Sequence, residues 1–171
     1  AMLNHATTVA QLAHRLHQHY LANQEPHAQF ALLTDWPDAD QPSLPGDAAL
    51  LQAARDALAQ LNQRHPAAPG APHRFILLHR ARSHSASEQC WMGWERKRGK
   101  LEQLLAALAT GTPGPFLDLG ADSQLAPHTR HLLTLDADTQ LPPGRLRALV
   151  GVAAHPQNQP RLDATGRRVV T

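Results

Sequence analysis

The sequence predicts an α/β fold, a mostly parallel sheet with helices on both faces. Three observations predict it. Short apolar runs alternate with longer stretches whose Leu, Val and Ala recur every three or four positions. The resulting order is helix, strand, helix, strand, helix, strand, helix and a partial strand, the order of chains whose parallel strands are joined by crossover helices. Each apolar run ends in polar residues, at Asp35, at His79 and Arg80, and at Asp136 with Asp138. Parallel sheets of this kind bind ligands outside those carboxyl ends.

The first helix is predicted over 8–22, where Val9, Leu12, Leu16 and Tyr20 line one face and Thr8 is a candidate cap. Phe30, Ala31, Leu32, Leu33 and Thr34 form a buried strand that closes at Asp35, and a Pro-rich loop over 36–46 follows. The second helix, over 47–64, starts on Asp47 as N-cap and carries Leu50, Leu51, Ala54, Leu58 and Leu61 as one stripe. An Ala/Pro/Gly linker over 66–72 precedes a second strand, Phe75, Ile76, Leu77, Leu78 and His79. A polar loop spans 80–89. The third helix carries Leu101, Leu104, Leu105 and Leu108 and stops at the Thr/Gly/Pro stretch over 110–115. An exposed loop over 118–129 leads to a third strand, Leu132, Leu133, Thr134 and Leu135. Pro142 and Pro143 open a short helix with Leu146, Leu149, Val150 and Ala153. Arg168 to Thr171 reads as the start of a strand.

Composition bounds the function. The 171 residues carry 16 Lys+Arg against 14 Asp+Glu, a formal net charge of +2, too near neutral for an electrostatic nucleic-acid binder. One cysteine, Cys90, excludes an internal disulfide framework and a four-Cys zinc site. No stretch reaches the roughly 18 unbroken apolar residues of a membrane helix, and the expectation is a soluble chain. Ala1 and Met2 read as the remnant of an expression tag, with 3–171 a single domain truncated from something longer.

The candidate chemistry sits at the strand ends. Asp136 and Asp138 leave the apolar run together, and two such carboxylates repel unless a cation joins them. Hard divalent cations take oxygen ligands, and Mg²⁺ pairs one or two carboxylates with substrate phosphates. An Asp-x-Asp here therefore reads either as a metal–diphosphate grip or as a solvated turn. Haloacid-dehalogenase-like phosphatases carry a similar motif, but Thr139 follows Asp138 directly, one position too early for that chemistry. Arg96, Lys97, Arg98, Gly99 and Lys100 place basic groups and a glycine before a helix, suited to a phosphate or simply to solvent. Asp35 reads as an acceptor for a nucleobase or ribose, or as a turn residue before Trp36 and Pro37. His14 and His17 share a helix face at zinc-ligand spacing without a third ligand nearby. No Gly-x-Ser-x-Gly elbow supports a serine hydrolase, and nothing around Cys90 argues for an activated thiolate.

Three stretches, HYLANQEPHAQFALLTDWPDAD, CWMGWERKRGKLEQLLAAL and LLTLDADTQLPPGRLRALVGVAAHPQNQPRLD, resemble the glycosyltransferase region of cyclic β-1,2-glucan synthases. More generally they resemble GT-A-type processive transferases such as cellulose and chitin synthases. The resemblance runs from about residue 19 to 168 and implies a partial GT-A (Rossmann-like) nucleotide-sugar-binding fold. It implies an inverting glucosyltransferase, with UDP-glucose as donor and a glucan as acceptor. Asp35 would hold the uracil or ribose, Lys100 and Arg98 would lie near the uridine and its phosphates, and Asp136 and Asp138 would hold Mg²⁺ or Mn²⁺, with Asp138 the direct ligand. It implies a full-length protein in the bacterial inner membrane with this region facing the cytoplasm. No catalytic base falls within the chain, so the expectation is a donor-binding part without turnover of its own, open to self-association through its sheet edges. The alternative is a non-catalytic interaction module of the same fold.

Overall fold

In a computed structural model, which describes every residue except 113, 167 and 171, the chain is α/β, with four α-helices and three two-stranded sheets among the described residues. The order is α1 (Ala6–Ala22), β1 (Phe30–Asp35), α2 (Asp47–Arg64), β2 (Phe75–Arg80), β3 (Ser83–Ser85), β4 (Cys90–Met92), α3 (Arg96–Thr110), α4 (Arg145–Ala154), β5 (Arg161–Leu162) and β6 (Val169–Val170). One pair, β1 with β2, is parallel, and β3–β4 and β5–β6 are antiparallel. Among the described residues the expected mostly parallel sheet is thus represented by a single parallel pair.

The β1–β2 register runs from Phe30 opposite Phe75 to Asp35 opposite Arg80. Neighbours in a parallel pair point to the same side, so this register sorts the side chains into two layers. Leu32, Phe75 and Leu77 join Val9, Leu12 and Leu16 of α1 and Ala54, Leu58 and Leu61 of α2 in one core cluster. Ile76 and Leu78 turn the other way, onto Leu104 of α3 and Phe116. All six residues of β2 are buried, which is why that strand reads as an unbroken apolar run rather than an alternation.

Several expectations need correction. Leu132, Leu133 and Leu135 belong to no strand and are exposed at 41%, 39% and 36%. An apolar run supplies the surface of a strand but not its partner, and no described strand ladders onto 132–135. The outer edge of β1 is met instead by the first residues of the chain. Met2 forms a parallel bridge with Asp35, the backbone N–H of Asp35 donates to Ala1 (3.1 Å), and Leu3 is fully buried. The loop expected over 80–89 is half a hairpin, because Ser83–Ser85 pairs with Cys90–Met92. α1 begins two residues before Thr8, with His5 as its N-cap and no side-chain cap. α2 is capped by Gly46 in a left-handed conformation (φ 99°), leaving Asp47 inside the first turn. α3 buries Lys100, Leu104 and Ala107, while Leu105 is 56% exposed, so its inward face lies one position off the expected leucine stripe. The end strand forms over Val169–Val170, and Thr171 lies outside the described residues. No described helix is long and apolar enough to cross a membrane.

Candidate functional site

The register that builds the core also builds the site. Asp35 and Arg80 are the last partners of β1 and β2, side by side on the α3 side of the pair. Arg80 Nε donates to Asp35 Oδ1 at 2.7 Å, and its guanidinium is only 2% exposed. Lys100, one turn before the buried Leu104, brings its ammonium to 2.8 Å from Asp35 Oδ2. Burial alone would disfavour the carboxylate, but the hydrogen bonds from Arg80 and Lys100 outweigh it and hold Asp35 below its ordinary pKa of 3.8.

Arg80 uses the rest of its fork to fix the turn that enters α3. Nη1 donates to the carbonyl of Trp94 (3.0 Å) and to Gln103 Oε1 (2.5 Å), and Nη2 donates to the carbonyl of Arg96 (3.0 Å). Glycine is needed where this cluster is tightest. A Cβ on Gly93 would lie 2.8 Å from Arg80 Nη2 and 2.9 Å from Asp35 Cγ. On Gly99 it would lie 2.6 Å from the Trp94 ring. Gly99, expected to let the backbone approach a phosphate, is required here by its packing against Trp94.

Around this cluster opens a cavity of about 260 Å³. Asp35, Arg96, Lys97, Lys100 and Asp136 line it, with the apolar surface of Leu33, Trp36, Leu101 and Leu135. Asp136 pairs with Lys97 across it at 2.5 Å, and that hydrogen bond holds the Asp136 carboxyl below the usual carboxylate value. Both groups are more than half exposed, so the pair contributes little to stability and is free to exchange for a ligand. Arg98 and Asp138 are exposed and are not among the lining residues. Three of the five expected site residues, Asp35, Lys100 and Asp136, thus meet at one cavity, and two stand outside it.

Asp136 and Asp138 do not form a three-ligand metal cluster. Among the described residues the one such grouping is Asp38, Glu88 and Cys90, with ligand atoms within 4.8 Å of one another. His17 meets His65 (Nε2 to Nε2, 2.8 Å), not His14, so the zinc reading of the helix face has no support there.

Against known sequences, the chain is 39% identical over 163 residues to the cyclic beta-(1,2)-glucan synthase NdvB of Rhizobium meliloti (strain 1021). The match covers 95% of this chain and 6% of that protein. This chain is related to one region of a cyclic beta-(1,2)-glucan synthase. It spans only that small share of the relative's length, and no protein-family profile matches it.

In the sequence Arg80 stood out only as a strand end, not as the centre of the site, and neither Gln103 nor Trp36 stood out as part of it. Arg80 carried one signal, a charged residue ending an apolar run opposite another. Trp36 enters because it follows Asp35 directly, and Gln103 enters because of how α3 lies against β2, which no local pattern encodes.

Proposed function

We propose that the cavity at the carboxyl ends of β1 and β2 binds the nucleotide-sugar donor UDP-glucose, as the donor-binding part of an inverting glucosyltransferase that makes cyclic β-1,2-glucan. The observation that carries this reading is the set of side chains sharing that cavity. Arg96 and Lys97 offer positive charge to a diphosphate, and Asp35, held by Lys100, and Asp136 offer acceptors and an anionic face. The position, outside the ends of parallel strands, is where such folds bind nucleotides. The relationship to the glucan synthase supplies the sugar and the linkage.

In this reading Asp35 accepts from the uracil or ribose. Its carboxylate has two lone-pair positions beyond those used by Arg80 and Lys100. Lys100 is held against Asp35 rather than free, so its part is to keep that carboxylate ionised and aimed. Lys97 and Arg96 face the phosphates, and Arg98, next to Lys97 in the chain, adds exposed charge outside the cavity. The oxygen donors suit Mg²⁺ or Mn²⁺, with Asp136 at the cavity, Asp138 two residues along and phosphate oxygens completing the shell. That metal, when bound, neutralises charge on the departing diphosphate. The protein's own contribution is to bind and orient the donor, with the catalytic base and the membrane-embedded parts elsewhere in the larger synthase.

The test is thermal. UDP with Mn²⁺ is expected to raise the melting temperature of this chain, and Asp136→Ala and Asp138→Ala each to abolish the rise. An unchanged melting temperature in well-folded protein, confirmed by calorimetric titration, refutes donor binding.

A further inference from the structure

A second cavity, of about 310 Å³, opens between the β3–β4 hairpin and the turn into α3. The donor reading does not use it. His84, Ser87, Glu88, Trp94, Glu95 and Arg96 line it. We propose that this cleft holds a neutral glucosyl unit of the acceptor chain, beside the donor; the acceptor assignment rests on the donor reading above.

The chemistry of the lining selects the ligand class. A pyranose presents hydroxyls around its rim and C–H groups on its faces. The cleft offers serine hydroxyls, two carboxylates, a guanidinium and the aromatic residue Trp94, which is 47% exposed. A phosphate would meet the carboxylates of Glu88 and Glu95. A metal at Asp38, Glu88 and Cys90 would compete with Arg96, whose Nη2 already donates to Asp38 (2.9 Å) and to Glu88 (2.8 Å). No hydrogen bond to described protein atoms uses Arg96 Nε or Nη1, so donors remain for a sugar hydroxyl.

Position supplies the second argument. Arg96 lines both cavities, and its two carboxylate partners divide between them, Asp38 in the first and Glu88 in the second. One side chain is therefore the partition, and a sugar in the second cleft lies next to the donor cavity, where an acceptor must approach.

The backbone of the turn supports the same placement. Glu95 (φ 48°) and Arg96 (φ 43°) are non-glycine residues in the left-handed region, a conformation that L side chains disfavour. The carbonyls of Trp94 and Arg96 are held there by the buried Arg80. The rim is thus built from below by the same guanidinium that holds Asp35.

The probe is sophorose, the β-1,2-linked glucose disaccharide, titrated into the intact chain by calorimetry and by amide chemical shifts. Saturable binding is expected, with shifts at 83–88 and 94–96. Trp94→Ala is expected to weaken it about tenfold or more, as loss of an aromatic face does. Glu88→Ala, at an exposed rim position outside both core clusters, carries the test should Trp94→Ala unfold, and it is expected to weaken binding several-fold. Absence of saturable binding, shifts confined to 97–101 and 136, or displacement of sophorose by UDP would each overturn the proposal. Sophorose bound in the cleft without any UDP binding sinks the donor reading instead and leaves a saccharide-binding cleft.

Discussion

At the scale of the residue, the most consequential group besides Arg80 is His79. It is fully buried, its Nδ1 pairs with Thr34 Oγ1 at 2.8 Å, its ring stands edge-on to Trp36, and its Nε2 has no hydrogen-bond partner among the described atoms. Burial is the largest influence on it and lowers its pKa from 6.5 to about 4, with Lys100 and Arg82 opposing protonation and Asp35 and Asp47 favouring it. The sign follows from linkage. The unfolded chain binds a proton at higher pH than the folded one, so the stability from a neutral His79 is full above about pH 6.5 and is lost as pH falls towards 4. The loss across that window is roughly 3 kcal/mol by the proton-linkage conversion. Asp35 extends the decline below pH 3.8, since its depressed carboxyl must be protonated there. Urea denaturation followed between pH 7 and pH 4 should show a falling midpoint in the native chain and a flatter profile in His79→Leu. Equal slopes in both would mean that His79 does not titrate on unfolding.

At the scale of the element, the turn into α3 decides the site, and Gly99 tests that statement. Two effects oppose each other in Gly99→Ala. Alanine is a better helix former by about 1 kcal/mol. Its methyl, however, would lie 2.6 Å from the Trp94 ring and 2.7 Å from Glu95 Cβ, and overpacking of this kind costs about 1–3 kcal/mol. One neighbour is the backbone of Trp94, pinned by Arg80, so the surroundings have little room to yield. The expected net result is destabilisation of about 1–2 kcal/mol, read as a lower denaturation midpoint. A stabilised variant would show that helix propensity outweighs the contact.

The helices and both strands of the parallel pair were legible in the residues because their signals are local. Val9, Leu12 and Leu16 recur at helical spacing whatever they pack against, and Phe75 to Leu78 is an apolar run bounded by polar residues. The third strand was misread for the complementary reason. Leu132 to Leu135 has the composition of a buried strand, but pairing requires a free edge close by, and an edge is not written in the four residues themselves. The hairpin at Ser83–Ser85 was missed because its side chains are mostly exposed and carry no apolar alternation.

At the scale of the molecule, burial is unevenly distributed. Both core clusters lie within the first 125 residues, and no described residue from 127 onward is buried. The later segment is joined to the rest by polar contacts. Gly144 N–H donates to the carbonyl of Ala22, the Leu146 N–H donates to the buried Asn23 side chain, Arg147 pairs with Glu25, and Lys97 pairs with Asp136. Such contacts hold geometry but contribute little stability, since apolar burial is the dominant favourable term. Native-state hydrogen exchange should therefore show strong protection across β1 and β2 and weak protection in α4 and β5–β6. Uniform protection along the chain would contradict this division. Because Asp136 belongs to the weakly buried segment and Asp35 to the core, the donor cavity spans a rigid wall and a yielding one.

The amino-acid order was sufficient for the elements whose cause is local: helical stripes, the apolar strand β2, and the polar strand ends at Asp35 and Arg80. It also carried the relationship to the synthase, a 39% identity spread over 163 residues. The tertiary structure alone decided which of those polar residues meet. A one-residue shift in the register of β1 against β2 would separate Asp35 from Arg80 and turn one of them to the opposite layer. Lys100 reaches the pair only because α3 packs Leu104 onto β2. Charges far apart in the chain interact through distance in space, and distance in space is fixed by packing rather than by any residue's own preference.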